Sequence, residues 1–145
     1  MSPCRALAWL AAALLLCACA EEGSIEEQIK AKIAEMEEQA ESGERRAFMK
    51  NVSEDFVGQD GMTREEFRGF FIMQLNRYQA LRANIGAIAV EHREGDQARA
   101  EFRALVTGGR GLIPENGRVY DFVTLWVRED GDWLLDGARW EPVFQ

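Results

Sequence analysis

The spacing of the apolar positions changes near residue 84 and divides the chain into a helical part and a strand part. Before that point, two segments carry apolar residues at every third or fourth position. After it, apolar and polar residues mostly alternate. The first pattern is typical of helices with one buried side, and the second is typical of half-buried strands. We therefore predict an α+β domain in which N-terminal helices pack on a curved antiparallel sheet of about four long strands.

Both long helices are predicted to begin with a capping box. Residues 24–27 read SIEE and residues 63–66 read TREE, so the first residue caps the helix and the fourth reaches back to it. A short helix over 44–50 and an extended segment over 52–57 separate the two. We expect the second long helix to run to about Arg82. Its apolar stripe, which we assign to the core, is Phe67, Phe70, Phe71, Gln74, Leu75, Tyr78 and Leu81.

The remainder of the chain reads as strands joined by turns. Two strands are predicted over 84–94 and 97–107, and a closing hairpin over 119–144 turns at Asp130-Gly131. The glycine-rich segment 108–117 invites a phosphate-binding interpretation. It lacks the Lys-Ser/Thr pair of a P-loop and no helix follows, so we predict a connection between strands.

The first twenty residues have the pattern of an export signal. Arg5 is followed by an eleven-residue apolar run, which is shorter than the about 20 residues that a spanning helix needs. The run ends in Leu16-Cys17-Ala18-Cys19, which resembles the lipobox of bacterial lipoproteins. There the cysteine becomes the lipid-modified first residue of the mature protein. The alternative is a plain cleavage site at Ala18-Cys19-Ala20, which would release a soluble exported protein.

We therefore divide the chain into a signal peptide over 1–18, a lipid-modified Cys19 with a short tether over 19–23, and one folded domain over 24–145. Ala20 is the residue after the lipid-modified Cys19. By resemblance to the sorting rule of bacteria with two membranes, it favours the outer membrane, facing the periplasm. Multiple acyl chains anchor a protein stably where one does not.

Composition excludes several classes of site. The formal net charge is −8 and basic residues do not cluster, so nucleic acid is a poor partner. The three cysteines, Cys4, Cys17 and Cys19, all belong to the N-terminal segment, so the folded domain has no disulfide, thiolate metal site or cysteine nucleophile. His92 is the single histidine, which excludes a histidine-based metal site. We expect no metal and no cofactor.

The order of elements and the closing hairpin together resemble a known superfamily. Leu125-Trp126-Val127-Arg128, Asp130-Gly131 and Trp133 are similar to the aromatic strand, turn and strand start of nuclear transport factor 2-like (SnoaL-like, cystatin-like) domains. The resemblance implies a curved sheet wrapped around helices, an apolar cavity inside the cone, and frequent dimerisation through the sheet. It implies no single function, because the superfamily holds enzymes as well as binding and accessory domains.

An apolar cavity in such a domain would be lined by aromatic side chains from the helix stripe and the strands. The residues we expect to contact a ligand there are Tyr78, Phe71, Phe102, Tyr120, Trp126 and Trp140.

Enzymatic members of the superfamily use an Asp or His in the cavity, and the acid-base candidates here are Asp121, Asp136, His92, Tyr78 and Tyr120. Pairing the hairpin across its turn places Asp121, Asp136 and Trp140 on one face, with Tyr120 on the other; a bulge would change this. The two aspartates would be about 13 Å apart at ~3.3 Å per residue, too far for a carboxylate pair. Asp136, among apolar neighbours, could act alone as a general base, or it is a structural strand-end residue. His92 lies near a strand end on a wet face, a poor position for catalysis.

These observations favour a lipid-anchored periplasmic module that binds a small apolar ligand or an envelope protein without transforming it. The alternative is a small acid-base enzyme of isomerase or dehydratase type that uses Asp136 or Asp121. A third reading is a structural accessory subunit of an envelope complex. The expected partners are the membrane, through the lipid on Cys19, a small apolar ligand, and a second copy bound through the sheet.

Overall fold

A computed structural model describes residues 23–109 and 116–143, so the signal peptide and Cys19 lie outside the described residues. Within these residues the chain forms three α helices and five strands. The helices are α1 (Ile25–Glu41), α2 (Arg45–Lys50) and α3 (Arg64–Arg77). The strands are β1 (Val52–Gly58), β2 (Arg82–His92), β3 (Gln97–Gly108), β4 (Asn116–Glu129) and β5 (Asp132–Pro142). The described helices include none that is long and apolar enough to cross a membrane.

The sheet has the strand order β1-β5-β4-β3-β2 and stays open. Strands β2 to β5 are the four long antiparallel strands expected from the alternating pattern, and the α+β fold class is confirmed. The expectation that the sheet is wholly antiparallel is wrong at one edge. The extended segment predicted over 52–57 becomes β1, which pairs in parallel with β5. A parallel partner requires a crossover, and here α3 and three strands intervene between the two.

Both capping boxes are present. The Ser24 hydroxyl accepts a hydrogen bond from the backbone N–H of Glu27, whose carboxylate accepts one from the backbone N–H of Ser24. Thr63 and Glu66 repeat the arrangement at the start of α3, at 3.3 and 2.8 Å. Each box satisfies two N–H groups that the first helical turn would leave without partners.

Helix α3 ends at Arg77, five residues before the expected end. Tyr78 has an extended backbone (φ −114°, ψ 104°), and the N–H of Ala80 donates to the carbonyl of Gly109. Apolar residues continue at helical spacing to Leu81, which suggested a longer helix. Tyr78 and Leu81 remain half-buried although a turn at residues 79 and 80 has replaced the helix.

The core lies between α1 and the sheet. Ile29, Ile33 and Met36 on α1 are buried against small and large residues of the strands. Ala98 and Ala100 on β3 are fully buried, and their small side chains leave room for the helix to approach. The strand members of this core are Val52, Phe56, Ala98, Ala100, Trp126, Trp133, Leu135 and Ala138.

The closing hairpin begins as predicted and then changes register. Asp130 and Gly131 both have positive φ (51° and 80°), as a two-residue turn between twisted strands requires. Trp126 pairs with Leu135, but the next pair is Leu125 with Gly137, so one residue on β5 is extra. The extra residue is Asp136, and it forms a bulge.

The bulge moves the distal half of β5 to the other face. Trp140 pairs with Phe122 and packs on helix α3, so the expectation that it shares a face with Asp121 is wrong. The physical reason lies in β1, which the hairpin alone does not reveal. Val57 pairs with Gly137, and a Cβ at that glycine would lie 3.1 Å from the carbonyl oxygen of Val57.

Candidate ligand-binding cavity

A cavity of about 590 Å³ lies between α3 and the ends of β3, β4 and β5 farthest from the closing turn. Its volume falls within the range of pockets that hold small molecules. The walls come from these four elements and the segment after α3. The described lining residues are Phe67, Phe70, Phe71, Gln74, Arg77, Tyr78, Leu81, Val106, Thr107, Gly108, Gly117, Arg118, Tyr120, Phe122 and Trp140.

Seven of the fifteen described lining residues are aromatic. Phe70 stacks on Trp140 with centroids 5.4 Å apart, and Phe67 lies 6.5 Å from the same indole. Phe67 and Phe71 are four residues apart on α3 and therefore lie on one side of the helix. On the sheet side, Tyr120 and Phe122 are two residues apart on β4 and share a face. Their rings meet edge to face at 6.1 Å.

Polar groups are confined to a few positions. Gln74, Arg77 and Tyr78 come from the end of α3, and Thr107 and Arg118 come from paired ends of β3 and β4. The guanidinium carbon of Arg77 lies 5.5 Å from the centre of the Tyr78 ring, a cation–π distance. Within the described part of the wall there is no carboxylate and no imidazole.

Four of the six residues expected to contact a ligand line this cavity: Phe71, Tyr78, Tyr120 and Trp140. Phe102 is absent from the described lining and stacks on its cross-strand partner Phe122 at 5.2 Å. Trp126 is buried in the core, and its indole N–H donates to the Thr124 hydroxyl at 2.9 Å. Whether any of the six binds a ligand stays a prediction.

Sequence reasoning missed Arg118, Phe122 and Arg77 as wall residues. The signal for the first two was present in the alternation, because residues 118, 120 and 122 share one face of β4. Arg77 carried no such signal. It reaches the cavity because α3 ends there, and that end depends on contacts with β3.

Asp121 lies on the face of the sheet opposite the cavity. Its two carboxylate oxygens accept hydrogen bonds from Arg103, the cross-strand partner, at 2.7 and 3.0 Å. These hydrogen bonds lower the pKa of Asp121. A carboxylate that is exposed, paired and more acidic than usual is a weaker base than a free one.

Asp136 and His92 are also away from the cavity wall. Asp136 is the half-buried bulge residue of β5 and is absent from the described lining. His92 is exposed at the end of β2, with its Nε2 2.9 Å from the carbonyl oxygen of Gly95. Over 23–109 and 116–143, no three His, Cys, Asp or Glu side chains converge as metal ligands would.

Comparison with known proteins identifies the fold of the chain. No protein-family model matches the sequence, and neither does any curated protein. Solved structures match it closely in shape. One is an NTF2-like protein of unknown function from Pseudomonas putida KT2440, with 16% identity, a TM-score of 0.70, and coverage of 83% of this chain and 87% of that one. The chain has the nuclear transport factor 2-like fold.

Two further structures extend the nuclear transport factor 2-like comparison. A protein of unknown function with a cystatin-like fold from Nostoc punctiforme has 17% identity and a TM-score of 0.67, and 83% of this chain covers 92% of it. A "putative dehydratase" of the NTF2-like family from Streptomyces avermitilis has 15% identity and a TM-score of 0.73, with coverage of 83% and 97%. At these identities the likeness shows the fold, and function has to be argued from the site.

Proposed function

We propose that this protein is a binding module that holds a small, largely apolar molecule in the cavity between α3 and the sheet. One observation carries the proposal. The cavity has a volume of about 590 Å³, aromatic walls, and no carboxylate or imidazole in its described lining. Apolar walls with a few polar groups are typical of sites that retain a ligand, whereas the Asp or His expected of an acid-base enzyme is absent from the described lining.

Filling the cavity tests this proposal. Val106 lines it, whereas Leu105, the preceding residue of β3, points to the opposite face and is exposed. Naphthalene-2-carboxamide serves as the probe, titrated into the purified full chain by calorimetry. Val106→Trp is expected to raise the Kd of the probe by about tenfold or more, because the indole occupies the ligand's volume. Leu105→Trp, the matched control, should leave the Kd within about twofold.

If folded Val106→Trp protein binds the probe as well as the wild type does, the ligand is not in this cavity. Circular dichroism of both variants separates that result from a failure to fold.

The second candidate function is a small acid-base enzyme, and the likeness to the Streptomyces avermitilis structure is the observation that favours it. Such an enzyme would use Asp136 or Asp121, which do not belong to the described cavity wall. A β-hydroxy aryl ketone is a suitable substrate, because loss of water yields an enone with a new absorbance. Enone formation by the wild type that disappears in Asp136→Asn would establish the enzyme. If enone formation is no faster with the protein than without it, the result favours the binding function.

We further propose that the chain is exported and anchored by lipid on Cys19 to the outer membrane, facing the periplasm. The support is the sequence Leu16-Cys17-Ala18-Cys19. Mass spectrometry of the mature N-terminus tests it. An acylated chain that begins at Cys19 is expected, and an unmodified chain that begins at Glu21 would contradict the anchor.

A second copy of the chain is our proposed partner for the outer face of the sheet. Leu105 and Leu125 on that face are 39% and 41% exposed, and the Arg103–Asp121 ion pair lies between them along the paired strands. Large apolar side chains on a sheet face favour association. Sedimentation should show a dimer that Leu125→Glu dissociates. A protein that is monomeric at all concentrations would contradict the dimer. An envelope protein would then be the expected partner of this face, as in the accessory-subunit hypothesis.

A further inference from the structure

We propose that the cavity selects ligands that carry an anionic group beside the apolar body, and that Arg118 and Arg77 bind this group; the inference rests on the proposed function. Two guanidinium groups line the cavity, and its described wall contains no acidic side chain. The chain as a whole has a formal net charge of −8. The cavity therefore carries the opposite charge to the protein around it.

The charge is concentrated on the exposed side of the cavity. Phe67 and Phe71, on the inner side, are both 7% exposed. Arg77 ends α3 and Arg118 pairs with Val106 on β3, and both arginines are exposed residues. A ligand that placed its apolar part against the phenylalanines would bring its other end to the guanidinium groups. This arrangement suits an amphiphilic molecule better than a wholly apolar one.

Some arginines of the domain are paired with carboxylates, whereas others, including the two in the cavity wall, have no carboxylate partner among the described residues. Arg82 lies 3.0 Å from Glu41, and Arg103 is bound at two atoms by Asp121. Across 23–109 and 116–143, neither Arg77 nor Arg118 has a carboxylate oxygen within 4.0 Å. Both guanidinium groups can therefore accept an anion without first breaking an ion pair in that part of the chain.

Guanidinium chemistry narrows the ligand class. The planar group donates two parallel hydrogen bonds to a carboxylate, sulfonate or phosphate. The carbonyl groups at the end of α3 carry partial negative charge, which offsets part of the effect of Arg77. Arg118 lies on a strand, where no helix-end carbonyl groups offset its positive charge. We therefore expect Arg118 to contribute more to anion affinity than Arg77.

A pair of probes that differ only in charge tests the proposal. Naphthalene-2-carboxylate and naphthalene-2-carboxamide have the same body and nearly the same size. Both probes are titrated into the full chain in an uncharged detergent and followed by calorimetry. The carboxylate should bind about 5- to 10-fold more tightly than the amide. A ratio of this size corresponds to the contribution of one partly exposed, charged hydrogen bond. Arg118→Gln should remove most of that preference and leave the Kd of the amide within about twofold.

Three variants complete the design. Arg77→Gln should reduce the preference for the carboxylate by less than Arg118→Gln does. Arg118→Lys keeps the charge but loses the paired donors, so it should retain part of the preference. Arg68→Gln is the matched control, because it removes the same charge from α3 at a position outside the cavity wall.

The outcomes separate this inference from the function on which it rests. Equal affinity of the wild type for both probes overturns the anion site and leaves the binding function standing. A preference that survives Arg118→Gln and Arg77→Gln together also overturns the anion site. Absence of binding by either probe overturns both proposals.

Discussion

The Tyr78 ring occupies the space that a side chain at Gly108 would need. A Cβ built on Gly108 would lie 2.4 Å from Cδ1 of Tyr78 and 2.9 Å from its Cβ, and both residues line the cavity. The glycine therefore permits the helix end and the strand end to meet, and it fixes where this wall of the cavity stands. The ring cannot move by rotation alone, because its own Cβ is part of the close contact.

Gly108→Ala is expected to lower the free energy of unfolding by about 1–3 kcal/mol, because the added methyl group displaces the tyrosine. It should also weaken binding of naphthalene-2-carboxamide. Urea denaturation and calorimetry measure the two effects. Gly117→Ala is the control, since a Cβ there would make ordinary contacts of 3.4 and 3.7 Å. Equal stability of the two alanine variants would contradict the steric argument.

Thr124 should be more important for stability than for binding. Its hydroxyl donates to the carbonyl of Ala100 at 3.1 Å and accepts from the buried Trp126 indole at 2.9 Å. Thr124→Val leaves that indole without a partner and should cost about 1–3 kcal/mol of unfolding free energy, with Thr124→Ser losing less. Binding of the carboxamide probe should not change in either variant. A large loss of affinity would indicate that Trp126 belongs to the binding site after all.

Asp121→Asn should leave the affinity for both naphthalene probes unchanged within about twofold, because the ion pair with Arg103 lies on the opposite face of the sheet. Calorimetry under the same conditions checks this. Asp121→Asn, Arg103→Gln and the double variant should all bind alike. A specific loss with Asp121→Asn alone would return this carboxylate to the list of functional groups.

Glu66 makes one part of the stability depend on pH. Hydrogen bonds from Thr63, first its backbone N–H, lower the pKa of Glu66 below its ordinary value of 4.5. The folded state therefore prefers the ionised form, and this contribution is present above the ordinary pKa and lost as pH falls through the lowered one. Relative to Glu66→Gln, the wild type should lose its stability advantage as the pH falls from above 4.5 through the lowered pKa of Glu66.

Urea midpoints across that range measure the difference. The control is Glu65→Gln, which removes a charge from the same helical turn but does not disturb the capping box. If the advantage over Glu66→Gln stays constant on acidification, the carboxylate does not act as the ionised cap.

Local features were predictable from the sequence, and features that depend on distant contacts were not. The capping boxes at Ser24 and Thr63 and the Asp130-Gly131 turn depend on residues within a few positions, so their patterns predicted them correctly. The bulge at Asp136 depends on β1 docking beside Gly137, some eighty residues away in sequence. That docking was invisible in the hairpin, and so Trp140 was assigned to the wrong face.

The candidate site shows the same division. The aromatic wall followed from the stripe on α3 and from the position of Tyr120 on its strand. The arginines did not, because an exposed arginine at a helix end usually has no specific role. Arg77 acquires its place only when α3 stops where Tyr78 meets Gly108. Arg118 acquires its place only when its strand is paired against Val106.

The bulge at Asp136 divides the closing hairpin into two halves that make different contacts. On the turn side of it, Arg128 and the Trp133 indole both donate to the side-chain oxygen of Gln28 and so hold α1 against the sheet. On the far side, Phe122 and Trp140 face the cavity. Substitutions that change ligand preference can therefore accumulate in one half while the other continues to secure the helix. Such a division would allow one scaffold to diversify among lineages whose sequences retain little in common.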